Sequence, residues 1–424
     1  MLTSFAPLVA MALLATAAVP NGKDPISVFS TAPGQPVTFY SIGDFGRTKD
    51  LGSCCFGQYD NLDVHAQRIV GELMNIKAGQ GPSPAAIIGL GDNMYWNGVI
   101  SPQTRDEQFS HAFEVPYGGA NLKNTPMFAL MGNHDYGGGA FICAGSTESA
   151  QCNSTAELLQ GLENKLRWMG DYKSLSNNRW SVDEHFYIRR YEDAASGVSV
   201  EVYNLDMNDA SVAGSHGICC QCYGYARGDD GGCNSIQRGD KYCCGGDTAM
   251  YDACMARFVE WSDDSRRQMV AYASKSTATW KIAASHYSAI QHFNQEDMNK
   301  WLKALGEAGI LVQLYGHTHG LKFELVTTIN TYFVENGIGG GAKKEWASTT
   351  PDYAKSFVEH LYNAQPTEYG FISIEATTDS LKLQYHTHDD KWVLADRYED
   401  VTIGGVATKY CLHIPKNGSH GVPC

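Results

Sequence analysis

Five short segments carry side chains able to hold metal ions: Gly43-Asp44-Phe45-Gly46, Gly91-Asp92-Asn93-Met94-Tyr95, Gly132-Asn133-His134-Asp135, Ser285-His286-Tyr287 and Gly316-His317-Thr318-His319. Asp44 and Asp92 offer hard anionic oxygens, Asn133 a neutral oxygen, and His286, His317 and His319 imidazole nitrogens. Tyr95 follows Asp92 closely enough to reach the same ion as a phenolate. A phenol with a pKa of ~10 gives up its proton only to a strongly Lewis-acidic ion, which points to Fe(III) at one site. Alone, a Gly-Asp reads as a turn or a helix cap. Five such segments together supply donors for two ions. Where a strand ends and the chain turns, His317 and His319 can address neighbouring ions. One trivalent and one divalent cation against two carboxylates, one phenolate and one hydroxide leave a net positive site. Such a site draws phosphate and stabilises charge added in the transition state.

Each segment follows an apolar run that must position it. Alternation predicts a strand over 37–42, and Val64, Ile69, Val70 and Leu73 fall at helical spacing within a helix over 62–78. A strand over 85–90, a helix over 103–113 and a strand over 127–131 follow. This β-α-β-α-β order indicates an α/β layer with Asp44, Asp92 and Asn133 at the carboxyl ends of its strands, where open α/β sheets place their sites. The second half repeats the scheme more loosely, with strands over 185–190, 198–205, 280–284 and 310–315 and helices over 251–273 and 297–305. Antiparallel-looking strands follow over 322–327, 331–335, 369–376 and 380–386. The expected fold class is α/β, with two facing mixed β-sheets flanked by helices. The stretch 137–178 reads as loop with one helical patch over 156–168. The Gly-rich run 337–341 lacks the Lys-Ser/Thr pair of a phosphate-binding loop, and is expected to let the backbone pass close to the floor of the site. His386-Thr387-His388 copies the spacing of His317 and His319 but has no preceding Gly, and reads as surface. His65, His111, His185, His216 and His292 have no motif around them and read as structural or solvated.

The chain has 424 residues, 43% of them hydrophobic and 18% charged, a globular profile. Length alone suggests two or three domains at ~150 residues each. Donors spread from Asp44 to His319 must converge, however, so a single catalytic domain is expected over 19–424. A net charge of −14 argues against a nucleic-acid partner and leaves a phosphorylated small molecule open. Residues 1–18 read as a signal peptide, with an apolar core over 8–14 and a small-x-small site at Ala15-Thr16-Ala17, although no basic residue lies near Met1. No run reaches the ~18 apolar residues of a membrane span, so no stable membrane insertion is expected and the mature protein should be soluble. Thirteen cysteines fit an oxidising compartment, and their odd number leaves at least one thiol free or intermolecular. Cys54 and Cys55 are adjacent, Cys143 and Cys152 bracket a loop, and Cys411 and Cys424 bracket a tail expected to be tied by a disulfide. Seven more lie within 219–254. The Gly- and Cys-rich stretch 208–246 cannot build an apolar core, so disulfides are expected to hold it; a zinc site around Cys219, Cys220 and Cys222 is the weaker reading. Asn153 and Asn417 begin glycosylation triplets.

Taken together, the segments GDFG, GDNMY, GNHD, SHY and GHTH resemble the purple acid phosphatases within the binuclear metallophosphoesterases, and GDNMY and SHY most resemble the small, tartrate-resistant type. The resemblance runs over about residues 37–390. It implies that Asp44, Tyr95 and His319 hold Fe(III), that Asp92 bridges, and that Asn133, His286 and His317 hold the second ion, Fe(II), Zn or Mn. It implies that His134 is not a ligand but binds the phosphate and protonates the leaving alcohol, while a metal-bound hydroxide attacks phosphorus in line. The implied activity is that of a secreted or lysosomal/vacuolar acid phosphatase acting on phosphate monoesters, either small molecules or phosphoproteins. The rival is a phosphodiesterase or nucleotide pyrophosphatase on the same metal scaffold, against which Tyr95 and the SHY form argue. A non-catalytic binding or redox protein would be expected to have lost ligands, and none is missing. Asp44 lies too close to the expected mature start to leave room for the extra N-terminal β-domain of the large plant-type enzymes. The Cys-rich stretch is larger than the loop that overhangs the site in small relatives, and is expected to shape the substrate entrance and to restrain activity.

Overall fold

The computed structural model describes residues 24–48, 53, 61–138, 142–143, 151–175, 177–226, 233–341, 349–365, 367–416 and 418–424. The expected signal segment, Cys54, Cys55 and Asn417 lie outside the described residues. Two eight-stranded sheets face one another. The first runs β1 (Ile26–Ser30), β6 (Phe186–Asp193), β7 (Val198–Leu205), β8 (Trp280–Ala284), β9 (Val312–Tyr315), β11 (Thr331–Asn336), β10 (Leu321–Val326) and β12 (Val358–Asn363). The second runs β16 (Val422–Pro423), β15 (Val406–Pro415), β14 (Ser380–His388), β13 (Gly370–Ala376), β2 (Val37–Ile42), β3 (Ala86–Gly89), β4 (Met127–Ala129) and β5 (Trp180–Ser181). Both are mixed, as the apolar runs led us to expect: β2, β3 and β4 pair in parallel, as do β7, β8 and β9, and antiparallel strands complete each sheet.

Burial explains why these segments form strands. Every residue of β2, β3 and β4 is buried, the pattern of parallel strands covered on both faces. Between the sheets, Phe39 of β2 meets Tyr191 of β6 edge-on at 5.0 Å, and the Tyr187 hydroxyl donates to the Ala129 carbonyl at 2.5 Å. In β7, Val198, Val200 and Val202 join this inner cluster, while Tyr203 and Leu205 join an outer one. That outer cluster takes in α6 (Thr248–Ala273) and α7 (Gln295–Ala308), and α1 (Asn61–Gly79) covers the second sheet, so the layers run helix, sheet, sheet, helix. In α7, Asn294 caps the start by accepting from the Asp297 amide at 3.0 Å, and Met298, Trp301, Leu302, Leu305 and Ala308 form its buried stripe. Ser154 caps α3 (Thr155–Gly170) in the same way, at 3.2 Å from the Glu157 amide.

Parts of the structure depart from expectation. The helix expected over 103–113 is a short α2 (Arg105–Phe109) running into a π-helical turn, Ser110–Glu114. The strands β1, β5, β12, β15 and β16, at or next to the sheet edges, were not foreseen. His386 is not at the surface: it is fully buried, with Ser373 Oγ 2.8 Å from Nε2 and Thr408 Oγ1 2.9 Å from Nδ1. Burial holds that imidazole neutral, with its pKa pushed down to about 3.

Disulfides do hold the Cys-rich stretch. Cys220–Cys243 and Cys222–Cys233 close it, the latter at the start of the short α5 (Cys222–Ala226), and Cys219–Cys254 fastens α4 (Ala213–Cys220) to α6. Cys143–Cys152 and Cys411–Cys424 form as the brackets suggested, and Cys244 is a buried free thiol. Among the described residues, no helix is long and apolar enough to cross a membrane.

Candidate metal centre

All eight singled-out residues converge at the carboxyl ends of the central strands. Asp44 follows β2, Asp92 and Tyr95 follow β3, and Asn133 and His134 follow β4, all from the second sheet. His286 follows β8, and His317 and His319 follow β9, from the first. The site therefore straddles the seam between the sheets. Gly132 and Gly316 are required there by close approach: a Cβ on Gly132 would lie 2.2 Å from Asp92 Oδ1, and one on Gly316 2.3 Å from Asp44 Oδ2. The Gly-rich run forms the floor as expected, since a Cβ on Gly337 would lie 2.9 Å from the His319 amide.

The donor atoms fall into two groups. In one, Tyr95 Oη lies 3.2 Å from Asp44 Oδ1 and 3.1 Å from His319 Nε2, and the imidazole is 3.5 Å from Asp44 Oδ1. Ligand atoms of Asp44, Asp92 and His319 all fall within 4.8 Å of one another. In the other, Asn133 Oδ1 lies 3.1 Å from both His286 Nε2 and His317 Nδ1, and those two nitrogens are 3.3 Å apart. Asp92 lies between the groups, with Oδ1 3.5 Å from His286 Nε2 and its carboxylate also bonded to the Tyr95 hydroxyl. Asp92 Oδ1 in addition accepts from the His134 amide at 2.9 Å.

These donors fit cations. His286 Nδ1 lies 2.9 Å from the Leu90 carbonyl, which can only accept, so Nδ1 carries the proton and Nε2 presents a lone pair. Asn133 Oδ1 then faces that lone pair at 3.1 Å, an arrangement a shared cation relieves. Burial and the neighbouring Asp92 push the Asp44 carboxyl well above the usual range, and burial with both carboxylates keeps Tyr95 protonated. Burial opposes ionisation of Asp92 too, but His286 and His134 hold its carboxyl below the usual range. Burial and the surrounding histidines push His317 far below its ordinary value. Crowded anionic oxygens beside neutral imidazoles are what a multivalent ion selects, and its charge inverts these shifts.

The backbone is strained at the same positions. Asp44, Asp92, His317 and His319 hold left-handed φ of 56°, 54°, 77° and 50°. Non-glycine residues held there cost about 1–3 kcal/mol each, and such strain clusters at functional sites. His134 stands outside both donor groups, half-buried, with Nδ1 2.7 Å from the Trp96 carbonyl. The Arg47 guanidinium stacks over Trp96 at 4.0 Å.

Several contributors were not foreseen. Asp135 clamps two of the segments together, accepting from the amides of Gly132, Asn93 and Met94 at 2.9–3.0 Å and from Asn93 Nδ2 at 2.8 Å. Its position in the Gly-Asn-His-Asp segment was the available signal. The Tyr287 hydroxyl reaches Asn133 Oδ1 at 3.3 Å. The Cys-rich stretch touches the site directly: a Cβ on Gly214, in the first turn of α4, would meet Tyr287 Oη at 2.1 Å and Asn133 Cβ at 2.9 Å. Of the histidines without a motif, His292 packs its ring 4.9 Å from that of His317, while His65, His185 and His216 are tied away from the centre. His65 bonds to the Ala395 carbonyl, His185 to Asp206, and His216 to Tyr251 and the Ile236 carbonyl, while His292 accepts from the Ser288 amide.

Two facing mixed sheets with oxygen and imidazole donors at the seam define a metallophosphoesterase. The calcineurin-like phosphoesterase family model matches residues 37–321, and the chain belongs to that family. Tartrate-resistant acid phosphatase type 5 of Rattus norvegicus is 25% identical over 43% of this chain and 44% of its own length. The Oryctolagus cuniculus protein of the same name is 28% identical over 40% of each. The chain thus spans less than half the length of these relatives. Purple acid phosphatase 3 of Arabidopsis thaliana is 24% identical over 82% of this chain and 74% of its own. Two solved structures share the fold. GAP50, the anchor in the inner membrane complex of Plasmodium, has a TM-score of 0.50 at 12% identity, over 88% of this chain and 90% of its own. PhoD has a TM-score of 0.52 at 11% identity, over 92% and 72%.

Proposed function

We propose that this chain is an extracytoplasmic acid phosphatase that hydrolyses phosphate monoesters at a binuclear centre of Fe(III) and a divalent iron, zinc or manganese ion. The observation that carries the reading is the division of donors into two groups on either side of Asp92, one of them containing a phenol. Asp44, Tyr95 and His319 would hold Fe(III), Asn133, His286 and His317 the divalent ion, and Asp92 both. Bound there, the ions would draw charge from the phosphoryl oxygens and activate water for attack on phosphorus.

The chain's own residues supply the rest. His134 Nδ1 donates to the Trp96 carbonyl, which fixes the ring and leaves Nε2 as the nitrogen that would meet a substrate. His134 would give a proton from Nε2 to the departing alkoxide, and the working range in this reading is mildly acidic. The seat of α4 against Asn133 and Tyr287 supports the view that the Cys-rich stretch shapes the entrance on the divalent side. Five disulfides among the described residues support an oxidising compartment, and Asn153 is exposed, as an attached glycan needs. A single catalytic domain over 19–424 behind a signal peptide, substrates among small phosphate monoesters and phosphoproteins, and no nucleic-acid partner complete the reading.

The test is a visible absorption spectrum with metal analysis on the purified protein, together with turnover of mono- and bis-esters. A broad tyrosinate-to-Fe(III) band, absent from Tyr95→Phe, with faster monoester turnover is expected. A colourless protein holding two zinc or manganese ions would overturn the role of Tyr95 and favour phosphodiester hydrolysis.

A further inference from the structure

Behind the turn that carries His317 and His319 lies a buried ionic network. Glu335 of β11 is fully buried, and Lys322 and Glu324 of β10 are each 1% exposed. Lys322 sits directly opposite Glu335 in the β10–β11 register. Its ammonium lies 3.3 Å from Glu324 Oε2 and 3.9 Å from Glu335 Oε2, and it also donates to Gln291 Oε1. Gln291 Nε2 donates back to Glu324 Oε2 at 2.8 Å, and Thr350 Oγ1 to Glu324 Oε1 at 2.9 Å. Burying ions in a strand pair is expensive, and apolar residues of similar volume often serve stability as well or better. A network of this kind therefore calls for a role other than stability.

Its contact with the site supplies one. The Thr318 hydroxyl donates to Glu335 Oε1, and the Gly320 amide lies against the same carboxylate and favours its charge. Glu335 thus grips the chain on both sides of His319. His317 points to the Asn133 group and His319 to the Tyr95 group, so Thr318 is the pivot between the two. Both histidines sit in left-handed backbone, at φ 77° and 50°, which the local sequence does not favour and which something must hold. The His317 amide is held by Asp44 Oδ2 at 2.9 Å. On the other side of the pivot, Glu335 is the holder.

We propose that Glu335, locked by Lys322 and acting through Thr318 and the Gly320 amide, is the positioning residue that aims His317 and His319 at two different ions. The proposal rests on the binuclear reading above. Partners that orient metal ligands typically contribute ~10–100-fold to metal affinity.

The test uses the full chain with Zn(II) as probe, in Thr318→Val, Glu335→Gln, Glu335→Leu and the Thr318→Val/Glu335→Leu double variant. Chelator competition gives Zn(II) affinity, and melting of the metal-free protein reports structure alone. We expect Thr318→Val and Glu335→Leu each to weaken retention of both ions by ~10-fold or more, and the double variant to be no weaker than the worse single one. Glu335→Gln keeps an acceptor for Thr318 and should restore most of the affinity. Metal-free melting should be unchanged or raised in Thr318→Val and Glu335→Gln. Losses that multiply in the double variant, no rescue by glutamine, or a fall in metal-free melting that parallels the affinity loss would each overturn the proposal. Wild-type affinity in all four variants would overturn it while leaving the binuclear reading intact. A wild-type chain that holds fewer than two Zn(II) ions would instead remove that reading, and the proposal with it.

Discussion

Replacing Gly214 by alanine tests whether the Cys-rich stretch rests on the metal centre. The new methyl carbon would lie 2.1 Å from Tyr287 Oη and 2.9 Å from Asn133 Cβ, where a real contact needs about 3.4 Å or more. Tyr287 is fully buried and its hydroxyl is engaged by Asn133, so the ring has nowhere to swing. Helix α4 cannot lift freely either, because Cys219 near its far end is bonded to Cys254 of α6. Alanine in place of glycine gains up to ~1 kcal/mol in a helix, less in the first turn, whereas overpacking costs ~1–3 kcal/mol. The overlap wins, for a net loss of about 1–2 kcal/mol. With an unfolding entropy of ~2.1 cal/mol/K per residue, that is a fall of roughly 1–3 °C in Tm for a chain of this size. Gly217 is the internal control: in the same helix, its added Cβ would meet nothing nearer than 3.8 Å, at Cys233 Sγ. There the helix gain stands alone, and Gly217→Ala should stabilise by about 0.5–1 kcal/mol. Calorimetry of both variants gives opposite signs if α4 is seated as described, and only Gly214→Ala should lower kcat/KM by disturbing Asn133. If both substitutions stabilise, α4 does not press on Tyr287 and Asn133, and the link between the Cys-rich stretch and the centre is refuted.

Asp92→Ala should abolish metal retention and activity together, because Asp92 faces both donor groups; a variant that keeps both ions after dialysis contradicts this. His134→Ala should keep both ions but slow turnover by ~10²-fold or more, chiefly for esters with poor leaving groups. Equal slowing for good and poor leaving groups would remove the general-acid role. Lys165 is fully buried, with Nζ donating to the carbonyls of Asn97 and Val99 at 2.6 and 2.9 Å, and burial pulls its pKa down to about 7. The unfolded chain keeps that proton to about pH 10, so between about pH 7 and 10 the unfolded state binds a proton the folded state does not. Stability from this group therefore rises with pH across that window, and the penalty is complete below it. Urea midpoints at pH 6.5 and pH 9 should show that rise, and Lys165→Met should flatten it; an unchanged slope in the variant would show that Lys165 does not titrate as its burial implies.

The parts of the fold legible in the sequence are those where burial writes a pattern. The strands β3 and β4 are apolar runs, β2 alternates, and β8 and β9 are mostly apolar, each stopped shortly before a ligand-type residue, while α1, α6 and α7 carry apolar residues at helical spacing. What could not be read has physical reasons. β12, Val358–Asn363, is an edge strand with mixed exposure and no clean alternation, and the short helices of the Cys-rich stretch are held by disulfides rather than by an apolar stripe. His386 lies in a strand that α1 packs against and β15 pairs with, a setting that cannot be inferred from the strand alone. Within the site, the eight chemistry-bearing residues were visible because they fall in five short segments that each follow an apolar run. Tyr287 and Gly214 were not, since one acts across the seam and the other from an insertion, and neither was Glu335, whose partners lie on and just before the neighbouring strand of its own sheet; only the folded chain brings those partners together.

The left-handed backbone at Asp44, Asp92, His317 and His319 bears on how such a chain drifts. Glycine at any of these positions would relax the turn, so loss of the site runs downhill in stability. In a mutant library grown under chelation and screened only for heat resistance, these are the positions expected to decay first. A chain that still holds all four in place carries a standing burden of several kcal/mol that folding alone gives no reason to keep.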